Sequence, residues 1–193
     1  MKFDTKNRIA LFGTSADPPT IGHKKILEEL SNIYSSIITY ASDNPQKKHK
    51  ENIFFRNLLL KTLIKDINNP KIIFNPKISS PWAIESIKEC KKIYTFSKMD
   101  FVIGSDLITE IFSWKNFDKI IHEVKLLIIK RDGYPIESNT LKMLETHEVI
   151  FEICTLNIPN ISSSMVRLNN NYSDLPKSLI DIMKSNNLYE SIS

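Results

Sequence analysis

Short apolar runs alternate along the chain with longer stretches whose apolar residues recur at i, i+3 and i+4. RIALFG (8–13), SIITYA (36–41), KIIFN (71–75), DFVIGSD (100–106), VKLLIIKRDG (124–133) and VIFEIC (149–154) are bounded by turn residues and read as buried strands. KKILEELSNIY (24–34), IFFRNLLLKTLIKDI (53–67) and WAIESIKECKKIY (82–94) carry the helical spacing. Two further helices close the chain. ISSSMVRLNN (161–170) opens on serines suited to a helix N-cap, and LPKSLIDIMKSNNLY (175–189) has Pro176 near its first turn. Strands alternating with helices require right-handed crossovers, so the pattern predicts a doubly wound α/β fold. Its sheet is mostly parallel, helices cover both faces, and a small helical segment ends the chain over 161–193. No linker composition interrupts residues 1–193, which read as one domain. The clearest long loop is the polar SDNPQKKHKE (42–51).

The few glycines fall at informative points. Gly13, Gly104 and Gly133 end predicted strands, and Gly22 opens the first helix. Ligands of open parallel sheets bind outside the carboxyl ends of the strands, where glycine permits tight turns and close approach. In LFGTSADPPTIGHKKIL (11–27), a stiff Asp17-Pro18-Pro19 loop leads into a helix starting near Ile21. The free N–H groups of such a helix start are a ready anion site, and Thr20 and His23 would set a hydroxyl and an imidazole beside it.

Composition adjusts this picture modestly. The chain has 193 residues, 41% hydrophobic and 25% charged, with a net charge of +4, as expected of a globular domain with a real core. A mildly basic balance suits an anionic small substrate, although a lysine-rich solvated surface produces it equally well. The basic residues are scattered and not interleaved with aromatics as a stripe, which argues against nucleic acid as a partner. Cys90 and Cys154 form no CxxC pair or metal spacing and read as reduced packing residues of a cytoplasmic protein. The polar start MKFDTKNR lacks the apolar centre of a signal peptide, and no apolar run approaches the roughly 20 residues of a membrane span. No GxGxxG follows the first strand, so a nicotinamide-dependent dehydrogenase is disfavoured. No residue set suggests a protein-held metal, and the sequence leaves room for a homo-oligomer.

Several motifs carry a resemblance. Thr20-Ile21-Gly22-His23, within GTSADPPTIGH, resembles the [HT]xGH signature of the nucleotidylyltransferase superfamily. FVIGSDLITEIFSWKNFDKI (101–120) is similar to the G-x-D…W segment of its bacterial nicotinate-nucleotide adenylyltransferase branch, and ISSSMVR (161–167) to that branch's C-terminal ISSTxIR. ASDNPQKKH (41–49), Arg56 and KRDG (130–133) follow in matching order. There are departures: Thr20 stands where the branch usually has histidine, Ala16 where it has phenylalanine, Ser164 where it has threonine, and Pro81-Trp82 where it has serine and tyrosine.

The resemblance implies a Rossmann-like fold and transfer of AMP from ATP to nicotinate mononucleotide, with release of pyrophosphate. It implies that His23, Thr20 and Arg167 are catalytic, with His23 at the α-phosphate and Arg167, with Ser162 and Ser163, at the β- and γ-phosphates. Gly13, Thr14, Gly22, Gly104 and Asp106 would complete the ATP site, Asp106 accepting from ribose hydroxyls. Trp114 would face the pyridine ring, a role to which Trp82 could add a second face. The N–H groups of Ala83 and Ile84 would bind the nicotinate carboxylate, and Lys47, Lys48 and Arg56 would reach the mononucleotide phosphate. Mg2+ would be held mainly through ATP phosphates. Two alternatives stay open: an adenylyltransferase acting on nicotinamide mononucleotide or phosphopantetheine, and a nucleotide-binding protein without catalysis.

Overall fold

The computed structural model of the chain describes residues 8–94, 98–169 and 172–189. Six strands form one sheet: β1 (Arg8–Thr14), β2 (Ser36–Ala41), β3 (Ile72–Phe74), β4 (Lys98–Gly104), β5 (Lys125–Ile129) and β6 (Phe151–Cys154). Their order is β3-β2-β1-β4-β5-β6, and every pairing is parallel. The order reverses between β1 and β4, which places a crevice at the carboxyl ends of these two strands.

The strands bury both faces, as a parallel sheet must. Alternate β1 residues serve opposite cores. Ile9 and Leu11 meet Ile84, Ile87 and Cys90 of α3 (Ala83–Ile93), together with Phe117, Ile120 and Ile121 of α4 (Phe117–Glu123). Ala10 and Phe12 meet Leu27 and Leu30 of α1 (Ile21–Ile33), together with Leu60 and Leu63 of α2 (Ile53–Ile67). A third, smaller cluster joins Leu59 of α2 to Val166 of α6 (Ser163–Asn169) and to Leu179 and Met183 of α7 (Lys177–Ser185). It anchors the C-terminal helices beside the β1–α1 loop. No helix among the described residues is long and apolar enough to cross a membrane.

The expected strands and helices are present, with shifted ends. β4 starts two residues before the apolar run, at Lys98. β5 stops at Ile129, so Gly133 does not end a strand. It lies in the following turn, at φ +82°, where glycine is favoured, beside a bridge between Arg131 and Tyr134. α4 and α5 (Ser138–Thr146) lie outside the predicted elements, because 7 and 9 residues are too few to display a helical period clearly.

Candidate active site

The β1–α1 loop delivers the first functional side chain. Thr20 caps α1 and is fully buried. Its backbone N–H donates to His23 Nδ1 at 3.1 Å, and its hydroxyl lies 2.9 Å from the same atom. A backbone N–H can only donate, so Nδ1 is an acceptor and the imidazole proton resides on Nε2. Burial, reinforced by the positive charge of Arg131, pushes His23 down to about 4. The imidazole is therefore neutral near pH 7 and offers Nε2–H as a donor. Thr20, expected to act on substrate, does not border the cleft; it holds the ring from behind.

His23 opens onto one cleft of about 1210 Å³ at the switch point. Gly13, Thr14, Gly22, Gly104, Asp106, Ser162, Ser163 and Arg167 all line it, as do Lys47, Lys48, Ala83 and Trp114. Ile84 does not: its side chain is buried in the core, leaving only the first-turn backbone of α3 to serve the site. The glycines serve neighbouring side chains as much as any ligand. A Cβ on Gly13 would stand 2.8 Å from the Tyr40 phenol, and one on Gly104 would run into Asp106 Oδ1 and the Arg131 stem.

Asp106 and Arg131 form the floor beside Gly104. Arg131 Nη1 donates to Asp106 Oδ2 at 2.9 Å, and the Arg131 backbone N–H donates to Ser105 Oγ at 3.0 Å. Asp106 Oδ1 is buried and finds no hydrogen-bond partner among the described residues. A buried carboxylate oxygen held open in this way is an acceptor with unused capacity. Arg131 had no assigned role in the sequence. Its KRDG setting signalled only position, and its reach to Asp106 and His23 depends on tertiary placement.

Trp82 and Trp114 give the cleft its aromatic part. Trp114 meets Phe101 edge-on, with centroids 6.2 Å apart, and the Trp82 ring carries Lys115 Nζ at 4.6 Å from its centroid. α3 begins at Ala83 without a side-chain cap, so its first N–H groups have no intrahelical acceptor.

Asp17 ties the surrounding loops together. It is 2% exposed, and its carboxylate accepts from the backbone N–H groups of Lys50 at 2.7 Å and Glu51 at 3.2 Å. Arg167 Nη1 donates to the Asp17 carbonyl and lies 3.5 Å from its carboxylate. Ser163 Oγ donates to the Pro18 carbonyl at 2.8 Å, while Ser162 Oγ caps α6 by accepting from Met165 N–H at 3.2 Å. α6 is thereby fastened to the β1–α1 loop.

Arg56 departs from expectation. It is 1% exposed and does not border the cleft. Its guanidinium donates to the carbonyls of Glu51, Ser15 and Ser42 and to the Asp43 carboxylate. With four of its five N–H donors engaged by loop carbonyls and Asp43, and its side chain buried away from the cleft, it braces the 42–51 segment. His49 also borders the cleft from that segment. Its Nδ1 lies 4.0 Å from Asp17, and burial lowers its pKa.

Residues 11–169 match the cytidylyltransferase-like family. A Synechocystis protein named "Probable nicotinate-nucleotide adenylyltransferase" is 31% identical over 147 residues, covering 71% of this chain and 74% of that protein. A Borrelia turicatae protein of the same name is 31% identical over 196 residues, covering 94% and 97% of the two chains. Among solved structures, Plasmodium falciparum nicotinic acid mononucleotide adenylyltransferase complexed with NaAD superposes with a TM-score of 0.78 at 25% identity, covering 95% of this chain and 97% of that one.

Proposed function

The chain belongs to the cytidylyltransferase-like family, and from that premise we propose that it transfers the AMP part of ATP to nicotinate mononucleotide, releasing pyrophosphate and forming nicotinate adenine dinucleotide. One observation carries the reading. One cleft is lined by the neutral His23 donor and the open Asp106 acceptor together with two tryptophans and an uncapped helix start. Two different nucleotides meeting at one phosphate need such a site.

In this reading the mononucleotide phosphate oxygen attacks the α-phosphorus of ATP. A new P–O bond forms, and the bond to the β-phosphate oxygen breaks with its electron pair leaving on pyrophosphate. No covalent enzyme intermediate is required, so the protein's task is alignment and charge stabilisation. His23 Nε2–H donates to the α-phosphate oxygen as its charge grows, with Thr20 holding the ring. Arg167 and the α6 cap face the departing phosphates. Asp106 Oδ1 accepts from a ribose hydroxyl while Arg131 fixes the other oxygen. Lys47 and Lys48 sit at the rim to receive the mononucleotide phosphate. Mg2+ would be held mainly through the phosphates of ATP, where it would offset their charge.

The contact between α2 and the C-terminal helices supports reading residues 1–193 as one catalytic domain. Two free, buried cysteines suit a reducing, cytoplasmic setting. The test is direct: the protein is given ATP with nicotinate mononucleotide, nicotinamide mononucleotide or phosphopantetheine, and pyrophosphate and the dinucleotide product are measured. Pyrophosphate release that depends on nicotinate mononucleotide is the expected result. Release without an acceptor, or none at all, overturns the reading.

A further inference from the structure

Lys115 is placed where it can choose between acceptors. It follows Trp114 directly, and its backbone is fixed on both sides. Trp114 N–H bonds to the Ile111 carbonyl at 3.1 Å, Phe117 N–H bonds back to the Trp114 carbonyl at 3.0 Å, and Asn116 turns the chain at φ 58°. From this short platform the side chain, which borders the cleft, lays its ammonium over the face of Trp82. Its nearest carboxylate, Glu85, is 4.0 Å away, both side chains are about half exposed, and Glu85 also accepts from Ser80 Oγ. The ammonium thus has a loose ionic partner and a ring face, and a ring face leaves hydrogen-bond donors unused.

We propose that Lys115 is the acid-selecting cation of the acceptor subsite: its ammonium swings from the Trp82 face to pair with the ring carboxylate of a nicotinate mononucleotide bound against Trp114. The inference rests on the adenylyltransferase reading above. Nicotinate and nicotinamide rings are both flat and both carry a positive ring nitrogen in the mononucleotide, so stacking cannot separate them. A lysine at the rim can. It attracts the acid's carboxylate, whereas toward the amide it meets only the ring's positive charge and repels it. The first-turn N–H groups of α3 donate to the same carboxylate, which gives Lys115 and Ala83 complementary parts in one recognition.

The experiment compares kcat/KM for nicotinate and nicotinamide mononucleotides in the parent enzyme and in Lys115→Met, Lys115→Arg and Glu85→Gln. Lys115→Met is expected to lower the acid-to-amide ratio by about two- to fivefold, the scale of a half-exposed ion pair. Lys115→Arg should restore most of the ratio. Glu85→Gln, which frees Lys115 from its competitor, should raise it. Added salt should lower the parent's ratio and leave that of Lys115→Met unmoved. An unchanged ratio in Lys115→Met, or an equal loss with both acceptors, overturns the inference and leaves Lys115 as a brace for Trp82, with adenylyl transfer intact. A parent enzyme that favours the amide overturns it as well. A parent that uses neither acceptor instead removes the adenylyltransferase reading on which it stands.

Discussion

Thr20 and His23 are locked to each other through Nδ1, with the Thr20 N–H at 3.1 Å and its hydroxyl at 2.9 Å. This pairing sets the tautomer, so the group presented to the cleft is a neutral Nε2–H. His23→Ala is expected to lower kcat by about 10²–10³, as for loss of a positioned transition-state donor. Thr20→Val keeps the backbone donor but loses the hydroxyl. It should lower kcat several-fold with little change in either KM, and Thr20→Ser should recover most of the loss. Steady-state kinetics with both substrates varied provides the check; full activity in His23→Ala would displace the whole motif from the site.

The same histidine predicts two pH effects. Because its pKa is lowered to about 4, kcat/KM should show no imidazole titration between pH 5.5 and 8. Stability should respond differently. The unfolded chain binds a proton as pH falls through the ordinary value of 6.5, and the folded protein refuses it until about 4. Stability is therefore full above the unfolded value and declines across that window as pH falls. Urea unfolding at pH 7.5, 6 and 4.5 should show this decline, and His23→Gln should flatten part of it.

Asp106 and its glycine neighbour should be functionally linked. Asp106→Ala removes an acceptor for a ribose hydroxyl and should raise the KM for ATP roughly tenfold or more, the scale of a hydrogen bond to a charged group. Gly104→Ala inserts a methyl where Asp106 Oδ1 and Arg131 lie, and should produce a similar rise without touching any ligand itself. ATP titrations of the two variants and of their combination should show that the losses do not add.

Arg56 should register in stability. Arg56→Leu strands three loop carbonyls and should cost about 2–4 kcal/mol, read as a fall in Tm. A variant with unchanged Tm and a raised KM for the mononucleotide would return Arg56 to the phosphate role that its sequence position suggested.

Trp114 should act on both pyridine acceptors alike. Trp114→Ala is expected to weaken each by about two- to thirtyfold through loss of the ring face, with ATP binding nearly intact. Mononucleotide titrations of the variant test this. Collapse of the fold, or loss of ATP binding, would make Trp114 a core residue held by Phe101.

Much of this was legible before any coordinates, and for a physical reason. β1, β2 and β4 are buried on both faces, and such strands read as nearly continuous apolar runs. α2 and α3 each span enough turns to display their period. α5 does not, so Ser138–Thr146 carries no legible helical pattern. In the site, His23, Asp106 and Arg167 were marked by motifs that sit at helix starts and strand ends. Arg131 and Lys115 were not, because their roles depend on what faces them across the cleft. Arg56 misled for the converse reason: an arginine in a helix facing a loop has the same local signature whether its guanidinium turns outward to an anion or inward to carbonyls.

The bond from Arg167 to the Asp17 carbonyl joins residues 150 positions apart. On a ribosome, the His23 loop emerges early and its counterpart on α6 emerges near the end. A nascent chain that has reached only β1, α1 and β2 still lacks Arg167 and the serines of α6. Proteolytic nicking ahead of α6 should have the same effect as unfinished synthesis, leaving a sheet able to receive a nucleotide but unable to complete the exchange. Fastening its first loop to its last helices ties the enzyme's competence to the integrity of the whole polypeptide.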